Sequence, residues 1–155
     1  MNIVKLVGAA LICFGTVLAS DLSIDIGSPA AAISPNGAAV TKTKAAAFSV
    51  RLRGCASPQF SGIALSESSS KQRTEPLVFV PGSATGAFMV TRTNVQVYGA
   101  WVAVVTAECG ENTLGVLVPV SAQGVYDRAA AKFVPHAPTP LEMEEVLRVM
   151  KGGSR

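Results

Sequence analysis

The chain has 155 residues, 49% of them hydrophobic and 15% charged, with Lys+Arg 13 against Asp+Glu 10. That much apolar side chain excludes an intrinsically disordered chain, and the length suits one domain with its own core. A net charge of +3, one histidine and three cysteines argue against a nucleic-acid surface and leave most metal-site and triad chemistries without ligands or bases.

Lys5 and the amino terminus make a short positive region, and Leu6 to Leu18 follow as an uncharged apolar run. Such a run fits the roughly 7–15 residues of a secretory signal's core and falls short of the roughly 20 that span a bilayer. Val17 and Ala19 supply small residues before the charge of Asp21, so cleavage is expected between Ala19 and Ser20. The location this implies is periplasmic or secreted. Cys13 lies inside the apolar run behind Leu11-Ile12, which lacks the small residue that lipoprotein processing needs. No later stretch is long enough and free enough of charge, proline or glycine to read as a membrane span.

Export leaves Cys55 and Cys109 as an even pair in a compartment that permits oxidation. A redox-active pair would sit close together at a helix start, whereas these two are far apart and each lies beside turn residues. A structural disulfide is expected.

Residues 22–26 alternate as a short first strand, and a second is expected near 39–43 after the turn at Ser34-Pro35-Asn36-Gly37. Phe48 to Arg53 alternate strictly, as a half-buried strand requires, with Phe48, Val50 and Leu52 inward. Cys55 is out of phase with them, so Gly54 is expected to mark a bulge. Phe60 to Leu65 reads as the next strand. Ser66 to Glu75 has no apolar side chain to bury and is expected as an exposed, mobile loop. Strand signals resume at 77–80 and 87–90, with a Gly-rich turn at Gly82 to Gly86 that lacks the Lys-Ser/Thr of a phosphate loop.

Val95 to Ala107 is the densest apolar run. Trp101, Ala103, Val105 and Ala107 share one face with Cys109 and Val102 and Val104 the other, which predicts a central strand covered on both sides. Gly110 to Thr113 reads as a hairpin loop into the strand at 114–118, with Val120 beyond Pro119. Pieces at 124–126 and 132–134 read either as a last hairpin around Asp127-Arg128 or as short segments joined by one helical turn at Ala129-Ala130-Ala131.

The C-terminal helix carries the fullest set of local signals. Thr139-Pro140-Leu141-Glu142 combines an N-cap, proline at the first turn and a capping-box glutamate. Met143, Val146, Leu147 and Met150 form one apolar stripe, which a short helix has to bury. Two burials are open to it: an exposed face of the same domain, or a protein partner or second copy. Those four residues are therefore the candidate interface, flexible methionines suiting adaptable contacts.

The expected fold is mainly β, an antiparallel β-sandwich with one short C-terminal α-helix. The segments are a signal peptide (1–19), a disulfide-stabilised β-sandwich (20–134), a Pro-rich linker (135–139) and an amphipathic helix (140–151). An immunoglobulin-like arrangement is one form of such a sandwich. The likeness goes no further, since Trp101 shares its run with Cys109 and Ala107 stands where an antibody domain has tyrosine. His136 lies in the Pro-rich linker with nothing to fix its geometry, so no catalytic residue, metal ligand or cofactor is expected. The function expected is that of a non-catalytic binding or accessory module, met by a protein partner or by self-association through the helix. The alternative is a small-ligand carrier or enzyme with a pocket near Trp101 and Tyr98.

Overall fold

Alternation of apolar and polar side chains sorts the strands of this protein into an inner and an outer face. The computed structural model describes residues 21–29, 47–82, 84–93 and 99–153. The expected signal peptide with Ala19 and Ser20, the strand near 39–43 and Tyr98 lie outside the described residues. The elements are β1 (Ser23–Gly27), β2 (Phe48–Arg53), β3 (Gln59–Ser68), β4 (Lys71–Pro81), β5 (Ala87–Arg92), β6 (Trp101–Cys109), β7 (Asn112–Val120), β8 (Lys132–Val134) and α1 (Pro140–Gly152).

The strands join as one eight-stranded antiparallel sheet in the order β1-β2-β5-β4-β3-β6-β7-β8. β4 is the hinge of this sheet. Its first part, Lys71 to Pro76, pairs with β3, and its second part, Leu77 to Pro81, pairs with β5. Pro76, which has no N–H to give a ladder, stands where the pairing changes hands. The sheet bends there and curls until Cα atoms of β1 and β7 come within 8 Å. The mainly antiparallel β fold with one C-terminal helix is therefore present, built as one continuous, barrel-like sheet.

The inner face is filled by side chains from β1 to β7. Ile24, Phe48, Val50, Leu52, Leu77, Val90, Val105 and Val118 are among the buried residues of this core. An eight-stranded enclosure is just wide enough for side chains to fill it. β6 is buried on both faces, as its sequence predicts. Trp101, Ala103, Val105 and Ala107 point inward, while Val102 and Val104 pack outward with Leu65 and Leu117 against α1.

A disulfide joins Cys55 to Cys109 with their Cα atoms 5.9 Å apart. It links the turn after β2 to the end of β6, strands that are not neighbours in the sheet, and so ties opposite walls of the enclosure together. Gly54 is not a bulge within a strand: with φ 80° it begins the turn that leaves β2 and brings Cys55 round to the bridge.

Two further expectations change. Residues 66–75 are no loop; they form a two-stranded hairpin, with Ser66 to Ser68 paired to Lys71 to Arg73 around a Ser69-Ser70 turn. A ladder is held by backbone hydrogen bonds and can run beyond the core without apolar side chains. The pieces at 124–126 and 132–134 do not pair with each other. Tyr126 bridges to Val120, and β8 pairs with Gly115 to Leu117 of β7.

α1 begins as the sequence predicts. The Thr139 hydroxyl accepts from Glu142 N–H, and the Glu142 carboxylate accepts from Thr139 N–H at 2.9 Å, closing the capping box. The strap before it, residues 135–139, crosses the outer face directly over Gly115. A Cβ on Gly115 would come within 2.6 Å of His136 O and 2.5 Å of Pro138 Cδ. Glycine is what allows the strap to lie on β7 and deliver the helix to the sheet.

Candidate functional site

Among the described residues, the candidate sites are a groove beside α1 on the outer face and a largely buried polar cluster at the end of the enclosure opposite the disulfide.

The groove lies between the C-terminal half of α1 and the connection from β7 to β8. It has a volume of about 730 Å³ and is lined by Pro119, Val125, Ala130, Val146, Val149 and Met150 among others. The connection is tightly built. Ser121 N–H donates to Val125 O at 2.8 Å, Gly124 N–H to Ser121 O at 2.9 Å, and Val125 N–H to the Ser121 hydroxyl at 3.2 Å. Asp127 N–H donates to Pro119 O at 2.8 Å, and the Asp127 carboxylate accepts from Ala130 N–H at 3.1 Å. Tyr126 is held inward, its ring 5.9 Å from that of Phe48. This framework leaves Val125 65% exposed on one wall, facing a helix whose Val149 is 64% exposed.

One edge of the groove is an ion pair, Lys132 Nζ to Glu145 Oε2 at 2.6 Å. The hydrogen bond between them raises the lysine above its ordinary value and lowers the carboxylate below its own. Both charges are satisfied within the pair, so the groove offers a partner mainly apolar surface.

The cluster at the enclosure's end is built by register. Arg92 is paired with Leu77 across β5 and β4, and Trp101 with Ser66 across β6 and β3. Leu77 and Trp101 both face inward, so Arg92 does too. Arg92 forms an ion pair with Glu75, their side chains only 11% and 18% exposed. Its guanidinium carbon lies 5.0 Å from the centre of the Trp101 ring, a cation–π contact. Arg92 and Glu75 escape a reading of the sequence, because nothing in the order of residues says that they share a face with the tryptophan.

The residues singled out from the sequence fall as follows. Cys55 and Cys109 are bonded to each other. Val146 and Leu147 are buried on the chain's own sheet, with Met143 and Met150 partly buried beside them. The stripe thus docks α1 within the chain, and Val149 and Leu141 are the large apolar side chains that the helix leaves exposed. Trp101 is buried, with Arg92 over its ring. His136 is half exposed, its Nε2 3.7 Å from Glu142 Oε1. Among the described residues, no group of three or more His, Cys, Asp or Glu could hold a metal ion, and no helix is long and apolar enough to cross a membrane.

Together these features define a disulfide-tied antiparallel β fold whose own C-terminal helix covers its outer face at β6 and β7. Set against models of protein families, curated proteins and solved structures, the chain matches none.

Proposed function

We propose that this is an exported, non-catalytic binding module, a sandwich of two β layers sharing β4, which holds a protein partner in the groove between α1 and the β7–β8 connection. The observation that carries this reading is the pair of exposed apolar side chains, Val125 and Val149, on facing walls of that groove. Apolar surface presented by an ordered loop and an ordered helix, with Lys132 and Glu145 paired at its edge, suits an inserted apolar side chain better than proton transfer. The partner chemistry that fits is an amphipathic helix or loop of another protein, or of a second copy, presenting one apolar anchor. Export is supported by the bonded cysteines and by the apolar segment before Ala19 and Ser20.

The test uses the full chain produced with export. Val125→Asp with Val149→Asp places two carboxylates on exposed positions, so the fold survives and only the groove changes. Crosslinking in native extracts, with light scattering for self-association, is expected to give one dominant product that the double variant loses. The same products from both proteins would refute the groove as the binding surface. Intact mass of the exported protein is expected to start at Ser20 with the cysteines oxidised.

A further inference from the structure

We propose that the concave face of the β3–β4 hairpin, where it runs past the end of the enclosure beside Trp101, is a binding site for a phosphate group. The site is on the opposite side of the sheet from the groove and does not depend on it.

The register separates the hairpin's charges by face. Side chains two apart on a strand share a face, as do those directly across a ladder. Ser66 pairs with Arg73 and Ser68 with Lys71, while Ser66 pairs on its other side with Trp101. Arg73, Ser66 and Trp101 therefore form one row on the inner face, with Lys71 and Ser68 in the row beyond. Glu67, Gln72 and Thr74 stand on the other face, where Glu67 is ion-paired with Lys151 of α1.

The inner face is thus left with an excess of positive charge. Arg92 is answered by Glu75, but Lys71 and Arg73, both exposed, have no carboxylate partner among the described residues. The two are about 7 Å apart along the strand, a gap that long side chains close around one phosphate. An arginine fork, an ammonium and the Ser68 hydroxyl are the donors such an oxyanion takes. Two cations make a discrete site, fewer than the four to eight of a basic patch that reads membrane charge (roughly).

The hairpin is also held in a costly shape. Its turn places Ser69 at φ 52° and Ser70 at φ 62°, the left-handed region where glycine or asparagine is the usual choice. Backbone held there at a cost is a feature of ligand clamps. This turn is what keeps Ser68 opposite Lys71 and both on the face of Trp101.

The protein reports on the site itself, because Trp101 is its one tryptophan and Arg92 lies over the ring. Inorganic pyrophosphate, added at constant ionic strength to the oxidised full chain, is expected to change Trp101 fluorescence saturably. Lys71→Gln with Arg73→Gln alters only exposed side chains and is expected to weaken that response by about tenfold or more with an unchanged thermal melt. Arg128→Gln with Arg148→Gln removes the same charge elsewhere and is expected to respond like the unaltered protein. No saturable response, or equal weakening in both variants, overturns the proposal. A second arm identifies the source of the phosphate. Sedimentation with phosphatidylglycerol-containing vesicles, absent with phosphatidylcholine alone and lost in the hairpin variant, supports the site with a lipid headgroup as its ligand. A fluorescence response without sedimentation supports it with a soluble phosphate ester.

Discussion

Gly115→Ala is the substitution that asks most directly whether the strap fixes α1 to the sheet. The added methyl would lie 2.5 Å from Pro138 Cδ and 2.6 Å from His136 O. Carbon atoms in ordinary contact sit about 3.5–4.0 Å apart, so the strap has to rise by about 1 Å. α1 starts at Pro140, directly after the displaced residues, so the lift passes to the contacts that Val146 and Leu147 make with Val104 and Leu117. Overpacking of this kind costs about 1–3 kcal/mol, and replacing glycine by alanine inside a strand returns about 0.5–1 kcal/mol. A net loss of about 1–2 kcal/mol is expected. Denaturant unfolding followed by Trp101 fluorescence and by the helical circular dichroism signal measures it. Gly152→Ala is the control, since a Cβ there meets nothing within 4 Å and helix propensity makes it neutral or stabilising. If Gly115→Ala unfolds at the same denaturant concentration as the unaltered chain, the strap is not a rigid tie and the account of how α1 is positioned fails.

Replacing both Cys55 and Cys109 by alanine opens a loop with a sequence separation of 54, for which the chain-entropy relation gives a loss of roughly 4 kcal/mol. Unfolding of the two proteins without reductant measures it, and a difference below about 1 kcal/mol would mean that the bridge does little to restrict the unfolded chain. Acid should loosen the start of α1. Glu142 is lowered below the usual carboxylate range, chiefly by the Thr139 N–H it accepts. Its contribution is whole at and above that range and is lost as pH falls through the depressed value. The stability gap between the unaltered protein and Glu142→Ala is therefore expected at neutral pH and absent in strong acid; a gap that does not change with pH refutes this role for the carboxylate.

The parts of the fold that can be read from the chain are those where one local rule settles the outcome. β2 alternates strictly, α1 carries its own cap, and Cys55 and Cys109, each beside turn residues, are bonded to each other. The hairpin at 66–75 is not legible by such a rule, because its side chains are polar on both faces while its backbone continues the ladder of β3 and β4. β8 finds Gly115 to Leu117 rather than 124–126 because its choice is made by tertiary partners: Val134 is buried over β7 and Lys132 reaches Glu145 of α1. The groove has the same origin. Helical periodicity marks the stripe that α1 buries, but the exposure of Val149 depends on the distant loop that presents Val125. Arg92 and Glu75 look like ordinary strand-end charges until the register sets them beside Trp101.

The two ends of the enclosure are closed by different physics, and this bears on where binding can evolve. At one end a disulfide ties the turn after β2 to the end of β6, a constraint that in the chain-entropy account acts chiefly on the unfolded chain. At the other end the closure is an ion pair under a tryptophan, with side chains 11% and 18% exposed. Removing one member of such a pair leaves the other charge poorly solvated, so either single loss costs more than the pair contributes. Between the two ends the interior is packed with side chains, Val105 and Val118 among those fully buried. The two proposed binding surfaces are ones that the core positions but does not need: the hairpin beyond the polar end, and the groove beside a helix that Val146 and Leu147 already anchor to the sheet.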